Sequence, residues 1–170
     1  MDTIKKTSLE FVVIILVGVG IIWGFSFFID DEDFEATVVE EEVEYVRVRI
    51  RDSYLTLEVA DDAESRALGL IHREDLGEDE GMLFVYDDED VRYFWMKDVL
   101  LPLDMIFVNE MLEIVGFLED VPVCEEEPCP QYSIEEKSQY VIEVNAGWVD
   151  EHNLELGDRV DFIAEDLFVP

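Results

Sequence analysis

An uninterrupted apolar run at residues 11–29 restricts the fold of this 170-residue chain more than any other feature, because it contains no charged side chain. As a helix the run would extend roughly 28 Å at about 1.5 Å per residue, close to the thickness of a hydrocarbon core. Lys5 and Lys6 precede the run, and acidic residues follow it directly at positions 30–33. The positive-inside rule therefore predicts a transmembrane helix, with residues 1–10 in the cytoplasm and the rest of the chain outside the cell.

The apolar run also fits two other interpretations. Gly18 and Gly20 have the spacing of a signal-peptide cleavage site, but cleavage there would leave an apolar N-terminus, so an uncleaved anchor is favoured. Gly20 and Gly24 match the small-xxx-small pattern of packed membrane helices. That pattern would allow a weak helix-mediated homodimer, although glycine is common in membrane helices without such a role.

The charge of the chain is extreme, with 44 Asp and Glu against 11 Lys and Arg and a formal net charge of −33. A hydrophobic fraction of 49%, including 11 Phe and 3 Trp, argues against disorder. At about 1 M ionic strength the Debye length is only roughly 3 Å, so such a surface is compatible with a compact fold in concentrated salt. We therefore interpret the chain as a halophile-type protein, and we expect no nucleic-acid partner because nucleic-acid-binding domains are typically basic.

The remaining chain divides into an acidic linker at residues 30–42 and a globular domain at residues 43–170. Alternating apolar and polar residues, interrupted by turn residues, predict about eight short strands in a mainly β compact sandwich or barrel, with two short helices. The predicted strands are residues 43–50, 54–59, 82–86, 92–96, 104–108, 112–118, 140–144 and 159–163. The acidic run at residues 87–90 is predicted to be a turn or loop.

Capping residues place the two predicted helices. Asp61 with Glu64 three residues later has the spacing of a capping box, so the first helix is predicted from Asp61 to about Arg73. Asn145 is expected to cap a second short helix that ends near His152.

The chain has two cysteines, Cys124 and Cys129. A location outside the cell favours a disulfide between them, because disulfides persist in oxidising compartments. Free thiols are the second interpretation and a metal site the third, since His72 and His152 are far away in sequence. We expect neither a metal nor a cofactor.

Several segments of the chain resemble the domain of unknown function 192 family, over about residues 54–163. They are Arg66-x-x-Gly69-Leu70-x-x-Arg73, Gly81-Met82-Leu83-Phe84-Val85, Phe94-Trp95-Met96-Lys97, Pro102-Leu103-Asp104, residues 140–147 and Gly157-Asp158. The resemblance implies a compact, mainly β domain, often secreted or anchored, with no established activity. It also implies that the cysteine pair belongs to a loop feature that many members have.

Three positions depart from the family pattern. Ile71, Asp98 and Val99 stand where Met, Asn and Thr are usual. A hydrogen-bonding role for that Asn-Thr pair is therefore not expected in this chain.

The scarce basic residues indicate the candidate ligand site. Arg66, Arg73 and Lys97 lie in the most specific segments, and we predict that they converge near Asp104 with Trp95 as an apolar wall. Such a pocket would bind a carboxylate or a sugar acid. The alternative is that these cations form structural ion pairs with Asp104, Glu143 and other carboxylates, since such pairs are commoner than binding sites.

Three classes of function remain open from the sequence, and no motif of a common enzyme class is present. The leading hypothesis is an anchored binding or accessory module for a small molecule, a glycan or an envelope protein, with no catalytic residue assigned. An enzyme acting on envelope carbohydrate is the second, since Asp98, Asp104 and Glu143 could supply a carboxylate pair. A structural partner of another membrane protein is the third.

Overall fold

A computed structural model describes residues 43–163 of the chain. The predicted cytoplasmic segment, transmembrane helix and acidic linker at residues 1–42 lie outside the described residues. Neither helix of residues 43–163 has the length and the apolar character needed to cross a bilayer.

Residues 43–163 contain nine strands and two short helices. Seven strands form one curled sheet, a half-barrel, in the order β6-β5-β8-β3-β2-β1-β9, and β4 pairs with β7 as a separate ribbon. All neighbours are antiparallel except β2 and β3. The elements are β1 Tyr45–Ile50, β2 Ser53–Ala60, α1 Ala63–Leu68, β3 Glu80–Asp90, β4 Phe94–Trp95, β5 Leu103–Val108, β6 Ile114–Val121, β7 Gln131–Tyr132, β8 Ser138–Asn145, α2 Trp148–Glu151 and β9 Val160–Phe162.

The predicted mainly β fold with two short helices is confirmed, although the sheet is curled and open rather than a closed sandwich or barrel. Each of the eight predicted strands has a counterpart. The two-residue strand β7 was not predicted. The prediction of a loop at residues 87–90 is wrong, because β3 continues to Asp90, which pairs with Ser138 beyond a register shift.

Apolar residues alternate between the two faces of the sheet, so each face carries its own core. On β5, Ile106 and Val108 belong to a first core that also contains Trp148 of α2. Met105 and Phe107 of the same strand belong to a second core, on the face covered by α1 and the ribbon. The candidate site lies on this second face.

The residue that caps helix α1 is one position later than predicted. Asp62 caps it, because its carboxylate accepts hydrogen bonds from the N–H groups of Glu64 and Ser65 at 2.7 and 2.8 Å. The Ser65 hydroxyl in turn accepts from the Asp62 N–H, which completes the capping box. Asp61 is therefore not the cap.

The same helix ends five residues earlier than predicted. Gly69 has φ +50°, a left-handed value that glycine adopts without steric cost, and it follows the last helical residue Leu68. Arg73 therefore lies outside the helix and shares no helical face with Arg66.

The second helix also differs from the prediction. It begins after Gly147, whereas the Asn145 side chain donates hydrogen bonds to the carbonyl oxygens of Leu76 and Gly77 at 3.1 and 2.9 Å. Asn145 thus joins the end of β8 to the loop before β3 instead of capping α2.

The predicted disulfide between Cys124 and Cys129 is formed. It closes the loop between β6 and β7. Lys97, two residues beyond β4, forms a salt bridge with Glu127 of this loop at 2.8 Å. The disulfide loop is therefore attached to both strands of the β4–β7 ribbon.

Candidate functional site

Asp104, a predicted ligand-binding residue, is completely buried. Its two carboxyl oxygens accept hydrogen bonds from the N–H groups of Asp120 and Val149, both at 2.9 Å. These bonds join β5 to β6 and to the first turn of α2. The contacts of Asp104 are those of a structural residue that satisfies two backbone donors.

The predicted convergence of three cations on Asp104 is not found. Arg73 pairs with Glu58, and Lys97 pairs with Glu127. Among residues 43–163, no salt bridge joins Arg66, Arg73 or Lys97 to Asp104. The anion pocket predicted from these cations is therefore not assembled, since α1 ends before Arg73 and Lys97 lies against the disulfide loop.

Arg66 is held by a different kind of contact. Its guanidinium Nη1 donates to the backbone carbonyl oxygens of Asp61 and Val85, the second at 2.8 Å. The guanidinium carbon lies 5.0 Å from the centroid of the Tyr86 ring, and that of Arg92 lies 3.9 Å from the same centroid. Arg66 therefore fastens α1 to the middle of β3.

A cavity of about 180 Å³ lies between α1, the sheet and the β4–β7 ribbon. Engineered cavities of about 150 Å³ hold a molecule the size of benzene, so the space is sufficient for one small ring. Of the predicted ligand-binding residues, Arg66 and Trp95 line it. The lining is formed by residues 66–71, Phe84, Tyr86, residues 93–95, Val99, Gln131 and Glu143.

The mouth and the floor of this cavity differ in exposure. Leu68, Tyr93 and Trp95 at the mouth are large apolar side chains that are 59%, 62% and 55% exposed. Phe84 and Glu143 at the floor are only 3% and 5% exposed. Exposed apolar residues that lead to a buried polar group are typical of small-molecule sites.

Glu143 is placed at the floor by the register of β8. Across the sheet its direct neighbours are Met82 of β3 and Met105 of β5, so it lies between two apolar side chains. The close β3–β8 approach requires Gly81, where an added Cβ would lie 2.3 Å from the Glu143 carbonyl oxygen. Within residues 43–163, no hydrogen bond or salt bridge engages the Glu143 carboxyl group.

The apolar surroundings change the acidity of this group. Burial raises the pKa of Glu143 to about 8, since ionisation without a partner is costly in apolar surroundings. Burial also raises the pKa of Tyr86, with a smaller contribution in the same direction from Glu143, which indicates that the two groups are close. Perturbed groups of this kind are concentrated at functional sites.

The register argues against the carboxylate pair considered for an enzyme. Asp104 pairs with Val144, the residue after Glu143, so Asp104 and Glu143 project to opposite faces of the sheet. Asp98 is exposed and lies in a turn with φ +57°. Between residues 43 and 163, no cluster of three His, Cys, Asp or Glu side chains is arranged to hold a metal ion.

The fold and the cavity define a class of protein: a small half-barrel domain with a closed-ended cavity under one short helix. The chain belongs to the DUF192 family, described as an uncharacterized ACR, whose model matches residues 46–162. This match confirms the family resemblance of the sequence. No curated protein matches the chain.

Two solved structures are similar to this chain. A protein from Sinorhizobium meliloti, described as a "putative transcription regulator", shares 33% identity, with 71% of this chain and 95% of that chain covered and a TM-score of 0.66. A protein of unknown function from Novosphingobium aromaticivorans shares 26% identity, with 70% and 84% covered and a TM-score of 0.61.

Proposed function

We propose that the domain is a non-enzymatic binding module that takes up a small molecule in the cavity under α1. The observation that carries this proposal is the buried, unpartnered carboxyl group of Glu143 at the floor of a cavity whose mouth exposes Trp95 and Tyr93. A buried polar group without a hydrogen-bond partner costs stability, and a ligand can supply the missing partner. A purely structural partner of another membrane protein would need no such cavity.

Nucleic-acid binding is not part of this proposal. The description as a regulator belongs to the Sinorhizobium meliloti protein. A net charge of −33 opposes contact with phosphate backbones, whose binding depends on clustered Lys and Arg.

Ala67 offers a way to close the cavity without changing its floor. Ala67 is exposed on α1 and lines the cavity, whereas Ala63 is exposed at the start of the same helix and does not line it. We expect the full chain to be stabilised by members of a panel of small amines, alcohols, carboxylates and sugars. At ten times Kd the melting temperature should rise by about 5 °C. Ala67→Trp should abolish this rise, because the indole occupies the mouth.

Ala63→Trp is the matched control and should respond to the panel as the wild type does. Equal stabilisation of the Ala67→Trp and Ala63→Trp proteins would place binding elsewhere. A panel with no effect on the wild type would contradict the proposed function.

The module is proposed to be held at the outer surface of the cell membrane by residues 11–29, in an organism that lives in concentrated salt. The support is the flanking charge asymmetry and the acidic composition. Protease added to intact cells should therefore remove the domain. A domain that is cleaved only after the membrane is broken would contradict this topology.

A further inference from the structure

Among the charged residues that line the cavity, Glu143 is the one whose side chain lacks a hydrogen-bond or ion-pair partner within the described part of the chain. Arg66, the other charged residue of the lining, already donates to two backbone carbonyl oxygens and lies against the Tyr86 ring. Asp104, by contrast, is a buried carboxyl group with two N–H partners. Glu143 is therefore the buried carboxyl group of this cavity whose partner is still to be supplied.

Aromatic side chains surround the space above Glu143. Phe84 and Phe94 lie edge to face with ring centroids 5.3 Å apart, and Trp95 stands at the mouth. The faces of aromatic rings attract cations, and more strongly where water is excluded. The aromatic lining and the Glu143 carboxyl group are thus both compatible with one kind of ligand, an organic cation with an apolar body.

The net charge of the whole protein also favours a cationic ligand. A net charge of −33 attracts cations and repels anions at the surface. Concentrated salt screens that surface attraction, but a pair formed inside a buried cavity is screened much less.

We infer that the cavity binds a primary or secondary ammonium group carried by a compact apolar or aromatic body, with the carboxylate of Glu143 as its counter-ion. This inference rests on the proposed function and names its ligand class. A cavity of about 180 Å³ admits one aromatic ring with a one-carbon amine, so benzylamine is the probe.

Binding of an ammonium ion changes the protonation of the site in a defined way. Below pH 8 the empty cavity holds the neutral acid form of Glu143, and the incoming cation requires the carboxylate, so one proton leaves to solvent. The other charged or titratable groups of the lining are Tyr86 on β3, Arg66 on α1 and Tyr93 before β4, while the sheet neighbours Met82 and Met105 are uncharged. The carboxyl group of Glu143 is the one whose pKa lies near the working pH.

Calorimetric titration of the full chain in about 1 M KCl tests the inference, with benzylamine, benzyl alcohol and benzoate as probes of the same shape. We expect benzylamine to bind at least about tenfold more tightly than either of the others. Its affinity should rise about tenfold per pH unit between pH 6 and 7.5, because one proton is released. Titration in buffers with different ionisation enthalpies should show that about one proton is released for each benzylamine bound.

Glu143→Gln should lose the proton release and the preference for benzylamine while retaining benzyl alcohol. If that variant does not fold, the proton count of the wild type still decides. Equal binding of all three probes, or a preference for benzoate, would overturn the ammonium inference and leave the binding function intact. Absence of binding by every benzyl probe would also overturn the ammonium inference, whereas the proposed function fails only if the wider panel of small molecules leaves the wild type unstabilised as well.

Discussion

Replacing Glu143 with Gln is expected to remove a loss of stability that the wild-type protein shows as the pH rises from about 5 to about 8. In the folded protein the pKa of Glu143 is about 8, whereas the ordinary value is 4.5. Between these values the folded state holds a proton that the unfolded chain has released. Unfolding then releases that proton, so the free energy of unfolding falls as the pH rises and levels off above the folded pKa.

The size of this effect follows from the shift. At about 1.4 kcal/mol per pH unit, it corresponds to roughly 5 kcal/mol. Chemical denaturation at pH 5 and pH 9 should therefore show Glu143→Gln close to the wild type at the lower pH and several kcal/mol more stable at the higher pH. Glu119→Gln, at an exposed position of β6, is the control, and its free energy of unfolding should equal that of the wild type at both pH values. An equal difference at both pH values would contradict the burial of an unpartnered carboxyl group.

The second large change in stability is expected for Asp104→Ala. This change leaves the part-buried N–H group of Asp120 and the buried N–H group of Val149 without acceptors, and a fully buried unsatisfied donor costs about 1–3 kcal/mol. We expect the free energy of unfolding to fall by about 3 kcal/mol in urea denaturation. Asp104→Asn keeps one carbonyl acceptor, so its loss should be smaller.

Asp87→Ala provides the comparison for Asp104, since Asp87 is exposed on β3. A surface substitution of this kind changes stability by about 0.5 kcal/mol or less. If Asp104→Ala unfolded at the same urea concentration as Asp87→Ala, the structural role assigned to Asp104 would be wrong.

The fold could be predicted from the sequence wherever the hydrophobic period was strong. Strand β2 alternates between apolar and polar residues, and β5 is apolar apart from Asp104; the predicted boundaries of both agree with the observed ones within one residue. Local chemistry did not reveal that the acidic residues 87–90 extend β3, because that extension depends on pairing with β8. The early end of α1 at Gly69 was missed because the apolar pattern continues to Ile71.

Only part of the candidate site could be predicted from the sequence, because the register of the strands decides which side chains line the cavity. Of the predicted ligand-binding residues, Arg66 and Trp95 line the cavity, whereas Arg73 and Lys97 have ion-pair partners elsewhere. Glu143 was considered as an ion-pair partner or a catalytic carboxylate. Its isolation follows from the register that sets it between Met82 and Met105, which the sequence of β8 alone does not specify. The signal that could have identified it is a charged residue inside the apolar stretch of β8 at residues 141–144.

The ionisation of Glu143 in the free and the ligand-bound protein is the most direct test of the account. The carboxyl carbon resonance of Glu143 can be assigned by its loss in Glu143→Gln and followed through a pH titration in about 1 M KCl. We predict that Glu143 titrates near pH 8 in the free protein. Saturating benzylamine should lower this pKa, because the bound ammonium stabilises the carboxylate. A resonance that titrates near the ordinary value of 4.5, or one that benzylamine leaves unchanged, would contradict the assignment of this cavity as the binding site.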